Sequence, residues 1–196
     1  MSFIVGIGGT LRPGSSSEQA LAISLRAAAD SGAQTAVLSG RALDFPFYDP
    51  GVTERSEKAA AFLAALRKAD GVIISSPGYH GAMSGLIKNA LDYIEDLAGD
   101  PRVYLSDVPV GCIGVAYGNQ AAVAALSSLR STVHALRGFP TPYGAAVVAG
   151  PGVFTESGCA DPGTVSSLEL VGQQVLALCR NQPSSAATTT RKEADR

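Results

Sequence analysis

Short apolar runs alternate with helix-forming segments along most of this 196-residue chain, and that alternation constrains its fold more than any single residue does. The strand-like runs are residues 3–8, 34–39, 71–76, 108–116 and 143–149; between and after them, 17–30, 54–68, 84–97, 121–136 and 165–178 read as helices. Leu21, Leu25 and neighbouring alanines share one face of the first helix, and Gly32 marks its end. Phe62, Leu63 and Leu66 fall at helical spacing in the second. The run Gly71-Val72-Ile73-Ile74-Ser75-Ser76 is nearly all apolar, as a central parallel strand covered on both faces should be, and Pro77 is expected to stop it. Residues 41–51 are too rich in proline for regular structure, and Gly138 with Pro140 closes the fourth helix.

Strand followed by helix, repeated, implies a parallel sheet with right-handed crossovers. Two layouts satisfy it: a dinucleotide-binding order, or a three-layer, flavodoxin-like α/β fold whose five-stranded parallel sheet runs 2-1-3-4-5 with helices on both faces. Five strands favour the second. The expected organisation is one domain over residues 1–182 and a disordered tail over 183–196, where almost nothing apolar is left to bury. In either layout ligands bind beyond the carboxyl ends of the strands, so the loops after strands one, three and four matter most.

Charge narrows the partners. A formal net charge of −2 with 16% charged residues gives no basic field for nucleic acid. No stretch approaches the roughly 18 apolar residues of a membrane span, and no basic segment precedes the first strand as a signal peptide would require. Cys112, Cys159 and Cys179 form no CxxC pair, and with His80 and His134 they make no convincing zinc set. The expectation is a cytoplasmic protein, and 46% hydrophobic residues hint at surface buried in an oligomer.

The first loop reads Gly6-Ile7-Gly8-Gly9-Thr10-Leu11-Arg12-Pro13-Gly14-Ser15-Ser16-Ser17. It lacks the third glycine of a dinucleotide fingerprint and the lysine of a P-loop, and no acidic residue ends the second strand at Ser39. What remains is a cradle of Thr10, Arg12, Ser15 and Ser17 at a helix N-terminus. Hydroxyls, an arginine fork and outward N–H groups suit a terminal phosphomonoester better than a pyrophosphate. The competing role for the serines is capping the helix, which needs only one of them. After strand three, Pro77, Gly78, Tyr79 and His80 offer turn N–H groups and flat surfaces to a planar heteroaromatic ligand, although His80 alone reads as a loop histidine. After strand four, Tyr117, Gly118 and Asn119 repeat the pattern, with Asn119 alternatively a helix cap.

With these motifs the chain resembles the NAD(P)H-dependent FMN reductase family over residues 3–180. The phosphate pattern Gly-Ser-x-Arg-x-x-Ser appears as Gly9-Thr10-Leu11-Arg12-Pro13-Gly14-Ser15. The signature Pro-x-Tyr-[Asn/His] followed by Leu-x-Lys-Asn-x-x-Asp appears as Pro77-Gly78-Tyr79-His80 and Leu86-Ile87-Lys88-Asn89-Ala90-Leu91-Asp92. The resemblance implies that Thr10, Arg12, Ser15 and Ser17, with Gln19, hold the FMN phosphate, and that Pro77–His80 and Tyr117–Asn119 line the isoalloxazine. Gly78 stands where many members carry Glu. The segment 43–50 resembles one that crosses a dimer toward the partner's flavin, which would bring Phe47, Tyr48 and Asp49 to that interface.

Within the family the chain is most similar to reductases that supply reduced FMN to a separate flavin-dependent monooxygenase, as in sulfonate desulfurisation, on the strength of residues 133–142. There His134 would be the extra residue of a π-bulge at a tetramer interface; otherwise it is an ordinary helix histidine. The resemblance thus implies hydride transfer from NADPH or NADH to FMN in a homodimer or homotetramer, with no protein acid or base named as catalytic. The alternatives are a quinone, azo or chromate-type reductase with tightly bound FMN, and a non-enzymatic flavodoxin-like electron carrier.

Overall fold

The structure, a computed structural model, describes residues 1–181; the expected tail 183–196 lies outside the described residues. The strands are β1 (Phe3–Gly8), β2 (Gln34–Ser39), β3 (Gly71–Tyr79), β4 (Ala82–Met83), β5 (Pro109–Ala116), β6 (Phe139–Pro140), β7 (Ala145–Val148), β8 (Phe154–Thr155) and β9 (Gly158–Cys159). The helices are α1 (Ser16–Asp30), α2 (Glu57–Lys68), α3 (Gly85–Asp92), α4 (Asn119–Ala135) and α5 (Pro162–Asn181), with 3-10 turns at Gly40–Leu43 and Tyr93–Leu97.

The α/β class and the flavodoxin-like layering hold, but the sheet is not five strands in the order 2-1-3-4-5. It has seven strands: the path β2-β1-β3-β5-β6, with β4 paired antiparallel to the end of β3 and β7 paired to β5. The spine is parallel, with Ile4 opposite Gly71 and Val72 opposite Val110. Beside β5 the expected run 143–149 shortens to β7, where Ile113 pairs with Ala145, and a separate short strand, β6, precedes it, with Val110 opposite Pro140. Proline chemistry makes the break. Thr141 N still donates to Val110 O at 2.9 Å, Pro142 has no N–H to give, and Tyr143 N turns to Gln174 Oε1 at 3.0 Å.

Two further boundaries move. Pro77 does not stop the third strand, which continues to Tyr79. At Ser76 and Pro77 the strand has lost its β1 neighbour and pairs only with β5, so the proline interrupts one ladder rather than two. The helix expected over 84–97 is capped by Ser84, whose Oγ accepts from Ile87 N at 3.3 Å, and tightens to a 3-10 turn after Asp92.

Apolar clusters cover both faces of the sheet. One joins Phe62, Leu66, Ile87, Leu91, Leu129 and Val133 to Val72 and Ile74; the other joins Leu21, Leu25, Val171 and Val175 to Ile4 and Ile73. Burying each such side chain is worth about 1.5–3 kcal/mol. α1 and α5 lie side by side, with Ser24 Oγ donating to Leu168 O at 2.7 Å. No helix among the described residues is long and apolar enough to cross a membrane. This architecture brings the turns after β1, β3 and β5 to one edge.

Candidate functional site

The turn after β1 is a variant of the capping box. Ser15 is the N-cap of α1, its Oγ accepting from Glu18 N at 3.4 Å, while Glu18 Oε2 reaches past the N-cap to accept from Gly14 N at 2.7 Å. Glu18 Oε1 accepts from Ser39 Oγ at 2.8 Å, tying the turn to the end of β2. Ser17, only 1% exposed, sits behind Ser15 with the two hydroxyls 3.3 Å apart, and Ser75 Oγ donates to Ser17 O at 2.8 Å. Thr10 Oγ1 accepts from Arg12 N at 3.1 Å, which folds the loop so that the Arg12 side chain is exposed and has no partner among the described residues. Gln19 Nε2 donates to Gly14 O at 3.0 Å, and its Oε1 is a buried acceptor without a hydrogen bond.

Placed this way, Thr10, Arg12 and Ser15 surround the start of α1, where the first N–H groups have no partner inside the helix. An anion would find an arginine fork, two hydroxyls and a helix dipole there, and also a carboxylate. Glu18 is the residue that sequence reading passed over, although Ser15-Ser16-Ser17-Glu18 spells the Ser-x-x-Glu capping signature.

Pro77 is buried at the end of β3, and Tyr79 and His80 are exposed beyond it, His80 with φ 49° and Gly81 with φ 86°. Gly78 meets α4: a Cβ there would lie 2.7 Å from Ala121 O, so no side chain fits there unless the start of α4 shifts. Buried Ser76 Oγ accepts from Ser84 N at 2.9 Å and locks the turn between them. After β5, Tyr117 is 80% exposed, Gly118 is the N-cap of α4, and Asn119 is its first residue rather than its cap. The three turns therefore share one edge, offering a polar cradle at one end and exposed aromatic and backbone surface at the other.

A family model described as NADPH-dependent FMN reductase matches residues 3–151. The chain belongs to that family. Among its relatives, an NADPH azoreductase of Bacillus sp. (strain OY1-2) is 35% identical over 91 residues, 46% of this chain and 48% of that protein. An FMN-dependent NADPH-azoreductase of Staphylococcus haemolyticus is 35% identical over 100 residues, 51% of this chain and 50% of that protein. The chain thus matches about half the length of these curated relatives. Its fold is that of the flavoenzyme FerB, an NAD(P)H:(acceptor) oxidoreductase from Paracoccus denitrificans, at TM-score 0.76 and 18% identity, covering 92% of this chain and 98% of that one. The NADH:FMN oxidoreductase EMOB superposes at TM-score 0.69 with 19% identity over 100% of both chains.

In this FMN reductase family member the segment after β2 is a clamped strap. Asn89 Nδ2 donates to Pro46 O at 2.9 Å and its Oδ1 accepts from Tyr48 N at 2.9 Å; Tyr93 OH donates to Pro46 O at 3.0 Å. Arg55 grips Asp96 in bidentate fashion at 2.6 and 2.8 Å, its guanidinium 4.8 Å from the Tyr48 ring and 5.2 Å from that of Tyr93. The Arg55 hydrogen bonds hold the Asp96 carboxyl below its usual range, and burial raises the Tyr48 phenol. Phe47 projects from this clamp, 87% exposed. Tyr48 does not join it: the ring is turned inward, edge-on to Tyr93 at 5.2 Å, because its N–H and hydroxyl are both spoken for within the chain.

His134 lies exposed in the last turn of α4, which is α-helical throughout. Of the two readings of His134 the ordinary helix histidine holds, with no π-bulge at this position; Leu136 N closes a regular bond to Thr132 O at 2.9 Å. Among the described residues no group of three His, Cys, Asp or Glu could hold a metal. Burial pushes the Cys112 thiol up to about 12 and Cys179 to about 11, so neither presents a thiolate near neutrality.

Proposed function

We propose that this chain is an NAD(P)H-dependent FMN reductase. The observation that carries the reading is the joining, at one sheet edge, of the Thr10–Ser15 phosphate cradle with the exposed Tyr79–Gly81 and Tyr117–Gly118 turns. Thr10, Arg12 and Ser15 would hold the FMN phosphate, with Ser17 supporting Ser15 from within and Gln19 bracing Gly14. Pro77, Gly78, Tyr79 and His80, with Tyr117, Gly118 and Asn119, would border the ring. Bound FMN would supply the redox chemistry as the acceptor of hydride from the nicotinamide. These residues bind and orient; none is assigned as acid or base.

The finer reading is a reductase that hands its reduced flavin to a partner monooxygenase, in a cytoplasmic homodimer or homotetramer. Glu18 supports release, since a carboxylate beside the phosphate weakens the hold on it. Phe47, large, apolar and rigidly mounted, supports the oligomer. The names of the azoreductase relatives favour a second reading, an azo-type reductase, here taken as one that keeps its FMN. Anaerobic titration with NADPH and NADH, followed by gel filtration, separates them. Catalytic bleaching of added FMN that does not travel with the protein supports release, and FMN that co-elutes supports retention. If neither nucleotide reduces flavin, the reductase reading is wrong. Light scattering of Phe47→Ala and His134→Ala tests the assembly: unchanged mass in both would remove these residues from the interface.

A further inference from the structure

The turn between β3 and β4 is only two residues long. Gly78 pairs with Met83 and Tyr79 with Ala82, which leaves His80 and Gly81 as the whole loop. Both have positive φ, 49° and 86°. Two-residue hairpins favour a turn with positive φ at both positions, because its twist matches that of the flanking strands; Asn-Gly and Asp-Gly are its usual pairs. Histidine joins Asn and Asp among the side chains enriched at positive φ. The His80 imidazole is exposed and makes no hydrogen bond or ion pair among the described residues. What the fold uses at this position is therefore the backbone.

The body of the protein holds the base of this hairpin and leaves its tip free. Gly78 lies against α4, within 2.7 Å of Ala121 O for an added Cβ, and Met83 is buried in the core. Beneath them buried Ser76 Oγ accepts from Ser84 N at 2.9 Å and donates to Pro77 O at 3.0 Å. Tyr79, His80, Gly81 and Ala82 are all exposed, and a Cβ added at Gly81 would meet nothing within 4 Å. So short a ladder is marginal on its own in water. The φ preferences at 80 and 81 therefore decide where Tyr79 and the tip backbone face. We infer that His80 is a positioning residue: its left-handed backbone, with that of Gly81, sets the hairpin that borders the flavin ring, and its imidazole does not touch the flavin. The inference deepens the reading of this sheet edge as the flavin site and rests on it.

Fluorescence titrations with FMN and riboflavin test this on the whole chain, with far-ultraviolet circular dichroism to verify folding of each variant. His80→Val puts a β-branched side chain where positive φ is needed, and Gly81→Ala keeps the imidazole while adding a Cβ only to open space. Both should weaken the two flavins alike, by about tenfold, and shift the visible absorption of bound FMN. His80→Asn and His80→Gly, which tolerate positive φ without an imidazole, should bring affinity back to within about threefold of wild type and restore the spectrum. A Gly81→Ala variant that binds like wild type would overturn the proposal. So would losses in His80→Asn and His80→Gly as large as that in His80→Val, since these would mark an imidazole contact. A wild type that binds neither flavin would instead refute the flavin-site reading beneath it, and the positioning role with it.

Discussion

Glu18→Gln is the sharpest test of the phosphate turn, because it removes a charge while keeping the shape of the side chain. The wild-type carboxylate accepts from Gly14 N at 2.7 Å and from Ser39 Oγ at 2.8 Å, which fixes it against the loop that would hold the phosphate. For two unit charges about 6 Å apart at an effective dielectric near 20, the repulsion is about 2.8 kcal/mol. Glu18 is half-exposed, so solvent and salt reduce this by about half, to about 1–1.5 kcal/mol. FMN should therefore bind about tenfold more tightly to Glu18→Gln, at 1.4 kcal/mol per decade. Riboflavin, without a phosphate, should not change, and the gain for FMN should shrink as salt is raised. Flavin fluorescence quenching at two ionic strengths measures all three. FMN affinity that stays the same or falls, with riboflavin unaffected, would mean that the phosphate does not lie beside Glu18.

Three further outcomes follow from the same geometry. Arg12→Ala should weaken FMN by about 2–3 kcal/mol and spare riboflavin, since a charge-assisted fork is lost; equal losses for both flavins in the same titration would count against the cradle. Gly78→Glu should destabilise the chain by about 1–3 kcal/mol and impair flavin binding, because its Cβ would press on Ala121 O and displace the first turn of α4; thermal unfolding and titration report both. The Asp96 carboxyl is held low by Arg55, so its contribution to stability is present above the unfolded carboxylate range and is lost as pH falls through the depressed value. Arg55→Ala should lower the unfolding midpoint near neutrality and flatten that acid limb; an unchanged pH profile in denaturant melts would remove the clamp from the stability of the strap.

Periodicity carried the fold class, because 71–76 and the helix faces with Leu21, Leu25, Phe62 and Leu66 obey simple burial rules. It failed where one residue decides a local ladder. Pro77 reads as a stop but sits near a strand end with one neighbour, and Pro140, read as closing the fourth helix, lies in a short strand of its own beside β5. Two-residue strands such as β4 and β8 leave too short a pattern to register. In the site, hydroxyls and the arginine were visible as chemistry, whereas Glu18 went unremarked because its role depends on reaching back to Gly14. Arg55 and Asp96 are 41 positions apart, and nothing local in either stretch pairs them.

The strap and the phosphate turn assign opposite mechanical roles to the two ends of the site. Asn89, Tyr93 and the Arg55–Asp96 pair fix 45–55 from several directions, which spares Phe47 the entropy of ordering when it meets another surface. The turn at Thr10–Ser15 spends part of its donor capacity internally, on Glu18, Gly14 and the hydroxyl pair, and leaves Arg12 exposed. A site built this way would draw its grip on flavin from the ring and from a neighbouring copy more than from the phosphate. Flavin affinity would then fall on dilution, as the assembly dissociates, by a larger factor for wild type than for Glu18→Gln.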